Sequence, residues 1–128
     1  MKLAVIIAAA IAIVAQPALA AIRQLTSSEK QIISASFGRA LKDPASAQYH
    51  FPPVPLTSLS KGAKVPYCFT VNAKNAFGGY VGQKMIVSLL IVSKSQIVGF
   101  EYTTGLNDET PALRETTAEM CALFGFRF

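Results

Sequence analysis

The chain has 128 residues, 52% of them hydrophobic, with twelve Lys and Arg against seven Asp and Glu, for a net charge of +5. That is the length of one domain. The positive charge is scattered: no run of five or six like charges and no interleaving of arginine with aromatics appears, so no nucleic-acid partner is expected. One histidine and two cysteines are too few for a metal cluster, and no metal or other cofactor is expected.

Met1-Lys2 gives a short positive start, and Leu3 to Ala15 is an uncharged apolar run of thirteen residues. Gln16-Pro17 breaks the run, and Ala18-Leu19-Ala20 has the small-x-small pattern of a signal-peptidase site. Residues 1–20 are therefore read as a cleavable signal peptide, with cleavage between Ala20 and Ala21. A spanning helix needs about 20 apolar residues, so no stable membrane anchor is expected after cleavage. A lipid anchor would need a cysteine just after the cut, and the first is Cys68. Loss of twenty residues leaves 108, with eleven Lys and Arg against seven Asp and Glu, or +4.

Within residues 21–128, Thr26-Ser27-Ser28-Glu29 fits a capping box. A helix should follow to Leu41 or Lys42, with Ile33, Phe37, Ala40 and Leu41 on its buried face and Lys42 in its last turn. Asp43-Pro44 stops it, because the residue before proline avoids the helical region. Residues 46–51 alternate Ala47, Tyr49 and Phe51 with Gln48 and His50, which predicts a short strand with one dry face. Three prolines at 52, 53 and 55 cannot continue that strand inside a sheet, and residues 52–64 read as an extended loop.

Residues 65–74 read as a strand with Tyr67, Phe69, Val71 and Ala73 on one face and Cys68, Thr70, Asn72 and Lys74 on the other. Residues 75–82 form a glycine-rich connection. Residues 83–92 make a longer strand, apolar on both faces and so expected to be central. Ser93 to Ser95 turn the chain into a third strand over 96–104. Connections this short favour antiparallel neighbours. Residues 105–109 read as a turn. Thr110 and Pro111 then suit the start of a second helix, running to about Phe124 with Leu113, Thr117, Met120, Cys121 and Phe124 along one stripe. The fold class is α+β: an antiparallel β-meander of three to four strands packed with an N-terminal and a C-terminal helix.

An even cysteine count in an exported chain reads as a disulfide. Cys68 and Cys121 close a loop worth about 4 kcal/mol in the chain-entropy model. Cys68 shares its face with Thr70, Asn72 and Lys74, which do not look buried. Either the strand bulges near Pro66 or the second helix crosses only the start of the strand.

The segment from Cys68 to Gly82 is the most distinctive. Gly78, Gly79 and Gly82 around Tyr80 allow positive φ and close backbone approach, while Asn72, Lys74 and Asn75 offer amides and one cation. These seven residues are the candidate partner-binding set, with Tyr80 as the anchor. A plain hairpin connection, in which glycine and asparagine only satisfy turn geometry, accounts for the same composition.

The motifs Asp43-Pro44-x-Ser46-Ala47 and, after Cys68, Val71-Asn72-Ala73-Lys74-Asn75 with Gly78-Gly79-Tyr80-x-Gly82 resemble a widespread group of small exported bacterial proteins. The resemblance covers roughly residues 40–85. Members often carry glycine right after the cysteine, where this chain has Phe69. The group has no established activity, so the resemblance implies an exported protein and no reaction.

Catalytic patterns are weak. His50 lacks a sequence-visible partner, and no GxSxG elbow is present. Glu101 falls on a strand, and Asp108-Glu109 at a helix start, where acids suit the dipole. Gly78-Gly79 lacks the GK[ST] of a phosphate loop. Lys61, Lys64, Lys74, Lys84 and Lys94 are spread over loops and strand ends and read as a solubilising surface. The expectation is a non-catalytic envelope protein, periplasmic or secreted, that binds a protein partner. An inhibitor of an exported hydrolase is the first alternative, although a +4 chain would be repelled by cationic targets. An enzyme of unrecognised type is the second. Strands near Tyr49 and Glu101 are the expected sheet edges, open to pairing with another chain.

Overall fold

The computed structural model describes residues 21–102 and 111–128. The expected signal peptide, the end of the third strand, the turn over 105–109 and the Thr110 cap lie outside the described residues. Within them the fold is α+β with antiparallel sheets, three α-helices and one disulfide.

A two-residue strand β1 (Ile22–Arg23) leads into helix α1 (Ser27–Gly38). The capping box forms as the sequence predicts: Glu29 N–H donates to Thr26 Oγ1 and Thr26 N–H donates to Glu29 Oε1. The helix buries Ile33 and Phe37 and ends three residues before Leu41. Ala40 N–H and Leu41 N–H bond to Phe37 and Gly38 carbonyls in tight i→i+3 fashion, a common way to close a helix end. Lys42 therefore lies beyond the last turn. Gly38 is buried against Pro44: a Cβ there would stand 3.4 Å from the Pro44 Cβ.

Pro44–Ser46 forms one 3-10 turn, so strand β2 (Gln48–His50) starts two residues later than its alternation suggested. Its dry face is as expected, with Ala47, Tyr49 and Phe51 packed on the core. The stretch expected as an extended loop holds more structure. Strand β3 (Val54–Pro55) pairs with β1, and helix α2 (Leu56–Lys61) follows at once. Proline is tolerated here because the two-stranded sheet is all edge and because Pro55 also serves as the helix N-cap. Buried Val54 and Leu59 fix the segment to the core.

Strands β4 (Lys64–Asn72), β5 (Lys84–Ser93) and β6 (Gln96–Tyr102) form the meander, and β2 joins it in the order β2-β4-β5-β6. As expected, β5 is interior, and β2 and β6 are the edges. Lys94 and Ser95, both at positive φ, make the two-residue turn between β5 and β6, the geometry that matches strand twist. The β5–β6 register shifts between Ile91 and Val92.

The core lies mainly between the sheet and α1, where the Phe37 ring meets Phe69 at 5.3 Å and Tyr102 at 5.0 Å, both edge-on. Tyr67 is fully buried, its hydroxyl donating to the Pro52 carbonyl at 2.6 Å, and burial pushes its phenol pKa up. On the opposite face of β4, Cys68 is bonded to Cys121 of helix α3 (Pro111–Leu123), with Cα atoms 5.9 Å apart. The β4–β5 ladder runs unbroken from Lys64 to Val71, so no bulge near Pro66 explains the burial of Cys68. Instead β4 is covered on both faces, and Thr70, expected to be open, is buried.

Helix α3 buries Thr117 and Cys121 and half-buries Leu113 and Met120. Phe124, expected on the same stripe, is exposed. The helix stops before it: Gly125 sits at φ +88°, Phe126 N–H bonds to the Cys121 carbonyl and Gly125 N–H to that of Ala122. This is a Schellman ending. It buries Phe126 instead, edge-on against the Tyr67 ring at 5.3 Å.

Candidate functional site

The seven candidate residues come together in one exposed loop at the end of β4, and most of its polar groups bind each other. Asn75 is the hub. Its side-chain Oδ1 accepts from Phe77 N–H at 2.9 Å and Gly79 N–H at 3.2 Å. Its own N–H donates to the Gly79 carbonyl, and its carbonyl accepts from Gly78 N–H. Asn72 Oδ1 accepts from Gly82 N–H at 3.1 Å, closing the base of the loop. Lys74 and Tyr80 face each other in an isolated antiparallel bridge, with Lys74 Nζ 5.5 Å from the Tyr80 ring centroid.

Two of the three glycines are needed for their backbone. Gly78 and Gly82 lie at φ +81° and +93°, where a side chain would be strained, whereas Gly79 does not.

The loop is also tied to the turn before β2. Ser46 Oγ accepts from Lys74 N–H at 2.9 Å and itself donates to the Asp43 carbonyl at 2.7 Å. The Ser46 carbonyl accepts from the Tyr80 hydroxyl at 3.1 Å. The two motifs that carry the resemblance, 43–47 and 71–82, are thus one construction joined at Ser46. Tyr80 is 46% exposed, but its hydroxyl and one ring face are taken up within the loop. The ring left to solvent is Phe77, 96% exposed; Val81, later in the loop, is half-exposed. Phe77 falls at a position that the motif leaves unspecified. Its only signal was an aromatic inside a glycine–asparagine turn.

Other candidate groups stay apart. His50 is exposed, with its ring edge-on to Phe128 at 6.1 Å. Glu101 pairs with Lys64 at 2.8 Å on the surface. No group of three His, Cys, Asp or Glu side chains able to hold a metal occurs among the described residues, and none of their helices is long and apolar enough to cross a membrane.

A second hub lies at the start of α1. The buried Glu29 carboxylate accepts from the two terminal guanidinium nitrogens of Arg23, Nη1 and Nη2 (2.6 and 3.0 Å), from Thr26 N–H and from Ile97 N–H at 2.9 Å. The Arg23 hydrogen bond, helped by the backbone donors, holds its pKa down to about 2 against an ordinary 4.5, despite burial. A cavity of about 650 Å³ opens beside it, lined in part by Ser28, Lys94 and Gln96. The carboxylate at its edge is already paired, so the arrangement ties β1, α1 and β6 together.

No protein-family model, curated protein or solved structure matches this chain.

Proposed function

We propose that this chain is an exported, non-catalytic interaction module of the bacterial envelope, periplasmic or secreted, that binds a protein partner through loop 72–82. One observation carries the reading. The loop holds its shape with its own hydrogen bonds while presenting a nearly bare phenyl ring. A pre-shaped loop loses little conformational freedom on binding. Export is supported by the leader-like sequence before Ala21 and by the buried disulfide, a bond that persists in oxidising compartments. The Ala21 carbonyl accepts from Leu56 N–H at 3.0 Å, so the residue just after the expected cut is itself tied to the fold.

The hydrolase-inhibitor alternative draws less support. An inhibitor that mimics substrate offers extended backbone to the enzyme, whereas Asn75 to Gly78 closes in a hydrogen-bonded turn.

Affinity capture tests the proposal, using tagged residues 21–128 and envelope extract at low and high salt. The expected result is a discrete protein retained at both salts by the wild-type chain and lost with Asn75→Ala. Capture of salt-labile anionic material alone, indifferent to Asn75→Ala, would overturn it.

A further inference from the structure

We propose that Phe77 is the recognition knob of this loop, and that the partner is a protein presenting a preformed apolar pocket of phenyl size with carboxylates at its rim. The inference rests on the docking reading above and specifies its partner.

Isolated apolar side chains on a surface need no explanation. Phe77 differs in its setting. It stands at the tip of a loop whose Asn75, Phe77, Gly78, Gly79, Val81 and Gly82 N–H groups are all bonded within the loop or its stem. Those donors are unavailable for pairing with an added strand, so recognition falls to side chains. Of these, Tyr80 and Asn75 are engaged internally and Phe77 is not buried at all. A ring held on a fixed stem fits a cavity already shaped for it, the arrangement that concentrates binding energy in aromatic anchors.

Charge sets the rim. Half-buried Lys74 lies in the loop, and exposed Arg39 and Lys42 immediately precede the 43–47 turn it is tied to, against one acid, Asp43. A pocket edged with Asp or Glu complements that surface and speeds encounter. An anionic bilayer has the same sign, but one phenyl ring buries less than one acyl chain, and a single acyl chain binds only marginally and reversibly. A protein pocket adds its walls to the contact and is the better match.

The test places p-benzoylphenylalanine at position 77 of the 21–128 chain, irradiates it in envelope extract and maps the cross-linked peptide. In parallel, Phe77→Ala and Asn75→Ala chains are compared in capture, and wild type and Phe77→Ala are each floated with phosphatidylethanolamine–phosphatidylglycerol vesicles. Expected are one cross-linked protein, an attachment point in an apolar depression flanked by Asp or Glu, and capture weakened roughly ten- to a hundred-fold by Phe77→Ala with an unchanged melting temperature. Cross-linking to a flat polar surface, or vesicle flotation that Phe77→Ala abolishes, would overturn the inference. Capture lost with Asn75→Ala but kept with Phe77→Ala would overturn the knob and leave the docking loop standing. Capture indifferent to both would sink the two together.

Discussion

Glu29 and Asn75 each gather two backbone N–H groups onto one side-chain acceptor, yet their surroundings differ. Glu29 is buried, charged, paired with Arg23 and bonded to Ile97, which lies 68 positions away. Asn75 is exposed and neutral, and its partners lie within four residues. Removing a buried acceptor strands donors that water cannot reach, so its loss costs global stability. Removing an exposed one lets water replace it, so its loss costs shape and little else. The difference teaches that similar hydrogen-bond patterns can hold a fold together at one place and prepare a surface at another, and burial decides which.

The disulfide sets the scale for both hubs. Replacing Cys68 and Cys121 with alanine should lower stability by about 4 kcal/mol, the upper value for a loop of this span, as read by denaturant unfolding. Helix α3 should loosen first, because few of its side chains are buried.

Glu29→Ala should come next, at about 3 kcal/mol, with capture through the loop unaffected once the variant is folded. The same hub predicts the acid response. The folded pKa of Glu29 is about 2 and its ordinary value 4.5. Its contribution is therefore fully present above pH 4.5 and is lost as pH falls toward 2, to a total of about 3 kcal/mol. Unfolding free energies measured between pH 5 and 2 should fall for the wild type, and this part of the fall should be missing from Glu29→Gln.

Asn75→Ala should cost no more than about 1 kcal/mol, yet change the loop. A loss comparable to that of Glu29→Ala in the same unfolding assay would erase the contrast between the two hubs. Gly78→Ala should cost about 1 kcal/mol through its positive φ alone, and Phe77→Ala should fall within about 0.5 kcal/mol of wild type.

Much of this was legible in the sequence because it is local. The capping box, the alternation of Tyr49 and Phe51 and the meander follow from spacing, and the cysteine pair from an even count. What was not legible depends on distance or on a change of period. Thr26 and Glu29 announce a cap, but nothing in the sequence says that Arg23 and Ile97 share the same carboxylate. Residues 52–64 look like a loop because prolines forbid an interior strand, and the two-stranded edge sheet escapes that rule. The α3 stripe carried on past Cys121 at helical spacing selects Phe124, whereas the left-handed Gly125 turns the chain and buries Phe126. In the candidate site, the glycines and asparagines marked a loop and could not say more. Its tie to Ser46 spans 28 to 34 positions, so two motifs that read as separate words form one structure.

The central claim is that loop 72–82 is exposed and still held in one shape, and amide hydrogen exchange tests it without knowledge of any partner. The account predicts that the Phe77, Gly79 and Gly82 amides exchange more slowly than in an unstructured peptide. In Asn75→Ala, Phe77 and Gly79 should be released while Gly82, held by Asn72, stays protected. Exchange of all three at free-peptide rates in the wild-type protein would contradict it.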